Sequence, residues 1–206
     1  TTMTATAVAL VCPTCGDDLT GLETDALFGC IDCASAYEPG DAGLAGPFPV
    51  RAVVGDRAGA RVPLPFWRLT VRVDPPAVKA PPVPHAYLPA FDLRKRSYFG
   101  DPGLEWTMRR VELRLGQPTG PLVGATLRLG DAEQLAHFSV LRTIDAKEDV
   151  TGFSSDIQLS EPTLVLVEFA DTGDALVDPI AGGSYPAVAF CDLPALRGSA
   201  LLQPSD

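Results

Sequence analysis

Residues 10–43 read LVCPTCGDDLTGLETDALFGCIDCASAYEPGDAG, and the four cysteines in that stretch set the reading of the front of the chain. Cys12 and Cys15 form one Cys-x₂-Cys pair, Cys30 and Cys33 a second, and fourteen residues separate the pairs. A Cys-x₂-Cys pair folds into a knuckle that aims two sulfurs at one point. Gly16 follows the first knuckle, where a positive φ is commonly needed. Fourteen residues suffice for a hairpin that returns the second knuckle to the first. Four thiolates at about 2.3 Å saturate a tetrahedral Zn²⁺ and leave no position for water or substrate, so the expected role of the metal is structural. Two disulfides would require an oxidising compartment. A redox Cys-x-x-Cys opens a helix after a strand, and two such pairs close together do not fit that pattern. Ligand spacing alone leaves iron in a rubredoxin-like centre open, although those sequences usually have a longer gap and an aromatic pattern not found here.

The pattern CPxCG, a polar hairpin, then CxxC followed by a small residue and Tyr37 resembles the C4 zinc-ribbon group over residues 8–45. Similar ribbons head methyltransferase activators, transcription factors and many uncharacterised bacterial proteins. The resemblance therefore implies a ribbon and a structural Zn²⁺ rather than one activity. Many members bind nucleic acid through basic residues on the hairpin; this hairpin has none. The expected organisation is a zinc ribbon over 1–46 and a β-rich domain over 47–206.

After Gly46, residues 48–54 and 62–73 read as strands. In the second, Leu69, Val71 and Val73 share one face and Arg68, Thr70 and Arg72 the other, as in a half-buried strand. Residues 74–84 hold five prolines in eleven positions and predict a stiff, extended crossover. The apolar segment 85–93 that follows predicts that this crossover is packed rather than free. Residues 104–115 fit helix and strand periods alike. Residues 122–129, 163–170 and 185–191 read as strands. A helix is expected over 131–147, with Asp131 as N-cap and Leu135, Phe138, Leu141 and Ile144 at threefold spacing on its apolar face. The fold class is α+β, mostly β.

With 206 residues, 46% apolar and 20% charged, the chain has material for a core and the composition of a globular protein. No apolar run reaches the roughly 20 residues that span a bilayer, so membrane insertion is not expected. Residues 5–11 are too short and lack a basic lead, so no secretory signal is expected and the location is read as cytoplasmic. The net charge of −10 is unevenly spread. Residues 1–50 carry seven acids and no Lys or Arg, residues 51–115 twelve bases and six acids, and residues 116–206 four bases and thirteen acids. Such segregation marks either a partner surface or segments that attract one another within the fold.

Catalytic motifs are missing: there is no GxSxG, HExxH, Walker loop or GxGxxG after a strand. His85 and His137 are the only histidines and read as structural. Cys191 closes an apolar segment and reads as a buried thiol outside the metal site. AGGSY at 181–185 lacks the P-loop lysine and reads as a turn. Asp145, Glu148, Asp149 and Asp156 read as a solvated helix end and loop. RKRSYFG at 94–100 joins Arg94, Lys95 and Arg96 to aromatics that could stack on bases, but a pI near 4.6 opposes nucleic acid as a partner. The expected function is a non-catalytic accessory or assembly subunit that acts by protein–protein contact within a larger complex. The alternatives are a nucleic-acid-binding regulator, or an enzyme of unfamiliar type using residues 51–206.

Overall fold

The computed structural model describes residues 10–54, 59–73, 83–94, 96–143 and 156–200. Nearly all of the proline-rich crossover falls outside that range, as do Lys95, Asp145, Lys147, Glu148 and Asp149. The fold is mostly β, with 41% strand against 19% helix, as the alternating segments predict. Its strands are β1 (Phe28–Cys30), β2 (Ser35–Gly40), β3 (Gly43–Val53), β4 (Arg61–Val73), β5 (His85–Pro89), β6 (Leu115–Gly116), β7 (Ile157–Asp171), β8 (Ala175–Val177) and β9 (Ser184–Pro186). Among the described residues four helices accompany them: α1 (Arg96–Phe99), α2 (Pro102–Met108), α3 (Leu129–Leu141) and α4 (Leu193–Ala200). The main sheet runs β1-β2-β3-β7-β4-β5, with β6 on β3 and the β8–β9 pair on β7. Among the described strands, only β3 and β7 pair in parallel.

The long antiparallel pair β4–β7 is the spine, and its side chains alternate between two cores. Trp67, Leu69, Val71, Leu164 and Leu166 join one core, which α3 closes with Ala132, Ala136 and Val140. Val62, Leu64, Phe66, Val165, Val167 and Phe169 join the other, closed by Trp106 of α2 and by Leu193 and Leu196 of α4. Burial on both faces explains why 163–170 reads as an almost unbroken apolar run. Pro63 and Pro65 stand inside β4 without breaking it. The Pro65 carbonyl accepts from Ala90 N at 2.9 Å, so both prolines aim their donorless nitrogens away from β7.

Four expected elements differ. Residues 85–89 form a strand whose outer edge α2 covers. Thr107 Oγ1 accepts from Tyr87 N at 2.9 Å and donates to Gly103 O at 2.8 Å. A Cβ on Gly103 would lie 2.6 Å from the Tyr87 carbonyl oxygen, so only glycine permits this approach. Residues 122–126 are an irregular clasp instead of a strand. The Ala125 carbonyl accepts from Ala26 N and Leu27 N at 2.8 and 3.1 Å, while Thr126 N and Leu127 N donate to Ala90 O. The backbone is thus satisfied on both sides without a ladder.

The third difference is α3, which starts two residues before Asp131 and buries a different face. Its N-terminal N–H is capped from afar: Leu129 N donates to Glu38 Oε2 at 3.1 Å, and Arg128 pairs with Glu38 Oε1 at 3.0 Å. That anchor turns Ala132, Ala136 and Val140 inward against Ala86, Leu88 and Ala90. Leu135 and Phe138 are left 38% and 66% exposed, where the threefold spacing placed them in the core. The expected helix end near Lys147 and Ile144 lie outside the described residues. Residues 185–191 keep only β9 as strand and then turn through a 3-10 segment, Ala187–Ala189.

Candidate metal centre

Both knuckles form. Cys12 N donates to Asp17 O at 2.7 Å and Gly16 N to Cys12 O at 2.9 Å, closing the first turn. Gly16 holds φ +86° there. In the second, Cys33 N donates to Cys30 Sγ at 3.5 Å and Ala34 N to Ile31 O at 3.1 Å. Ala34, at the position equivalent to Gly16, holds φ +48°. The hairpin between them is pinned by reciprocal bonds of Thr20 and Gly29, both 2.8 Å.

The result is a cluster in which the four sulfurs of Cys12, Cys15, Cys30 and Cys33 lie within 4.8 Å of one another. Cys12 and Cys33 Sγ are 3.9 Å apart, and Cys15 and Cys30 Sγ 3.5 Å. All four are free thiols, so no disulfide competes for them. A tetrahedral ion with bonds of about 2.3 Å has sulfur–sulfur edges of about 3.8 Å, and the cluster is compatible with that. Cys191 is half-buried and takes no part in the cluster.

The crowding of the four sulfurs sets their thiols apart electrostatically. Burial pushes the Cys12 thiol up, but hydrogen bonds from Tyr37 and from the backbone at Cys15 and Thr14 outweigh it and bring it to about 6. At Cys15 the Asp17 backbone pulls the thiol down, yet the Asp17 side chain, burial and the sulfurs of Cys30 and Cys33 drive it well up. Crowded sulfurs resist becoming thiolates together unless a positive ion sits among them.

Tyr37 carries the second layer. It is buried, with its hydroxyl 3.5 Å from Cys12 Sγ and 2.9 Å from Thr14 Oγ1. Either atom of each pair can donate; a thiolate at Cys12, which only accepts, would take the Tyr37 O–H and leave Tyr37 Oη to accept from Thr14 O–H. Tyr37 is visible in the motif, but its role depends on the hairpin register, in which Phe28 faces Tyr37. A residue that sequence reasoning missed is Asp25. It is buried, and its Oδ2 accepts from Leu22 N at 2.7 Å and Gly124 N at 2.9 Å, tying the hairpin to the clasp.

The remaining candidates scatter. His85 Nε2 accepts from Arg68 at 2.6 Å, and His137 lies between the carbonyls of Glu133 and Ile157 at 2.8 and 3.3 Å. The 181–185 stretch is a turn closed by Asp178 N to Gly183 O and Gly182 N to Asp178 O. Arg94 is exposed, and Arg109 is paired with Glu105 at 2.6 Å. No helix among the described residues is long and apolar enough to cross a membrane. Comparison with protein-family models, curated proteins and solved structures finds no match to the chain.

Proposed function

We propose that Cys12, Cys15, Cys30 and Cys33 hold one structural Zn²⁺, and that the chain is a non-catalytic accessory subunit of a larger complex in a reducing, cytoplasmic setting. The observation that carries this reading is the outer surface of the ribbon. Val11 and Ile31, one on each knuckle, are 41% and 48% exposed, and the segment around them has acids but no Lys or Arg. Apolar side chains displayed on a metal-stiffened acidic scaffold suit a protein surface; phosphate would be repelled. A closed four-sulfur site gives the metal no open position for catalysis.

Two measurements test this. Elemental analysis should return close to one zinc per chain and no iron, and a red iron-charged product would remove the zinc assignment. Affinity purification from the native cells should recover a stable protein partner. Ile31→Asp should lose that partner while keeping the metal, because Ile31 is about half exposed and is not one of the four cysteines. Retention of the partner by this variant, or salt-sensitive sub-micromolar binding of the parent to nucleic acid, would favour the regulator reading instead.

A further inference from the structure

Helix α3 buries Ala132, Ala136 and Val140 against the sheet and carries a second stripe on its outer side. Asp131, Leu135, Phe138 and Arg142 follow one another at spacings of four, three and four, the rhythm of a helix–helix seam. At about 100° per residue, this stripe lies about 130° around the helix from the buried one. All four residues are exposed, and Leu135 and Phe138 are the large apolar side chains that α3 shows to solvent. Arg142 continues the stripe at the helix end because it keeps helical angles, φ −67° and ψ −16°.

The stripe is complementary to itself. Its residues are placed symmetrically about the point between Ala136 and His137. Leu135 and Phe138 flank that point closely, and Asp131 and Arg142 stand about 8 Å from it at opposite ends. Turning a second helix end for end about this point brings its Phe138 over Leu135 and its Arg142 over Asp131. Neither Asp131 nor Arg142 forms an ion pair among the described residues. Gln134 on one flank of the stripe and Ser139 on the other are uncharged, and Ser139 Oγ donates back to Leu135 O at 3.1 Å.

We infer that α3 is a self-association surface: a second copy of this chain lays its α3 antiparallel on the first, across a two-fold axis through the midpoint of the helix. Leu135 of each copy packs on Phe138 of the other, and Asp131 of each meets Arg142 of the other. One patch thus serves both sides, as a closed two-fold dimer requires. The charges choose the direction. Parallel helices would set Asp131 against Asp131 and Arg142 against Arg142, two repulsions in place of two attractions. A contact built on one helix per copy is small, so the dimer is reversible, with a dissociation constant in the micromolar range. None of these residues belongs to the ribbon, so Ile31→Asp should leave the dimer intact.

Sedimentation equilibrium of the full chain from about 1 to about 500 µM tests this, and the parent should pass from monomer to dimer across that range. Phe138→Asp should abolish the dimer at every concentration. Its melting at low concentration should match the parent's, because Phe138 is exposed in the single chain. Asp131→Arg and Arg142→Glu should each weaken the dimer about tenfold, since each turns both end contacts into like-charge pairs. An equimolar mixture of these two variants should form a heterodimer within about threefold of the parent's affinity, because every end contact then joins opposite charges. A parent that stays monomeric throughout overturns the inference and leaves this face to a different partner. It is overturned equally if Phe138→Asp dimerises like the parent, if the single reversals leave the dimer unchanged, or if the mixture is no tighter than its components.

Discussion

The ribbon knuckles and the β4–β7 spine are held together by different means, although they share a sheet. Along the spine every second residue enters one of two cores, so Trp67, Phe66, Val165 and Leu166 are fully or almost fully buried. Among the described residues the knuckles bury only Cys12, Leu19, Cys30 and Tyr37 among themselves, and two of those four are cysteines of the cluster. Four converging sulfurs, a cluster that could hold a metal ion, take the place of a core there. Between the two lies a graft zone: Leu27 and Ala36 leave the ribbon to join the core of Trp67 and Leu164. Strand β3 binds β2 through Gly43–Pro49 and β7 through Val50–Ala52.

Metal removal should therefore break the comparison most sharply. Structural zinc contributes on the order of 10 kcal/mol to small ribbons, and the knuckles have little else. Chelation, or Cys30→Ser, should abolish hydrogen-exchange protection around residues 10–19 and 30–34. Protection at Leu27, Ala36 and along β4 and β7 should persist, because those residues belong to the sheet's core. Simultaneous melting of β4 would show that the ribbon and spine form one cooperative unit. Loss should also follow acidification, since protons compete with the metal for thiolates.

The two regions each contain one buried aspartate, and the pair offers a finer test. Burial is the first cause that raises both Asp25 and Asp178. A raised folded value means that each contributes stability below the unfolded carboxylate range and loses it as pH rises through the folded value. The hydrogen-bond patterns differ. Asp25 takes both donors on Oδ2 and leaves Oδ1 without a partner, so an amide can stand in its place. Asp178 takes Trp106 Nε1 on Oδ2 at 2.6 Å and Ile180 N on Oδ1 at 2.7 Å, so an amide must set N–H against N–H. Asp178→Asn should cost about 2 to 3 kcal/mol at mildly acidic pH, and Asp25→Asn under about 1 kcal/mol. Relative to the parent, both variants should improve as pH rises from mildly acidic to neutral, because the parent alone loses the contribution of its raised carboxyl. Urea melts of parent and variants at each pH check this, and equal costs at the two sites would contradict the geometry.

What could be read in the sequence follows the range of the interactions. The cysteine cluster was legible because each knuckle closes within a few residues and the gap fits one hairpin. The strands were legible because period two survives in β4 below Trp67, where Leu69 and Val71 are buried and Arg72 is exposed. The rotation of α3 was not, because its cap is Glu38, ninety-one residues away. Nothing local distinguishes Ala132 and Ala136 from Leu135 and Phe138 as the buried set; close approach to Ala86 and Ala90 decides it. The clasp at 122–126 was misread for the same reason, since its acceptors and donors serve Ala26, Leu27 and Ala90 rather than a neighbouring strand.

The smallest expected effect lies within the ribbon, between two positions with the same job. Gly16 and Ala34 each follow the second cysteine of a knuckle and each hold positive φ, +86° and +48°. For a residue with a Cβ, that region costs about 1 to 2 kcal/mol. Ala34 tolerates it because its carbonyl accepts from Val50 N at 2.8 Å, where β3 passes from ribbon to spine. The second knuckle is thus held in shape by the sheet, and the first by its own turn. Gly16→Ala meets no atom within 4 Å, so its cost is conformational alone, about 1 kcal/mol. Ala34→Gly removes the strain but adds freedom to the unfolded chain, leaving a gain of about 0.5 kcal/mol. Competition for zinc against a chromogenic chelator should show Gly16→Ala releasing metal more readily and Ala34→Gly slightly less readily than the parent. If both variants shift in the same direction, backbone strain is not what separates the knuckles, and the anchor at Val50 is doing something other than holding Ala34 in its turn.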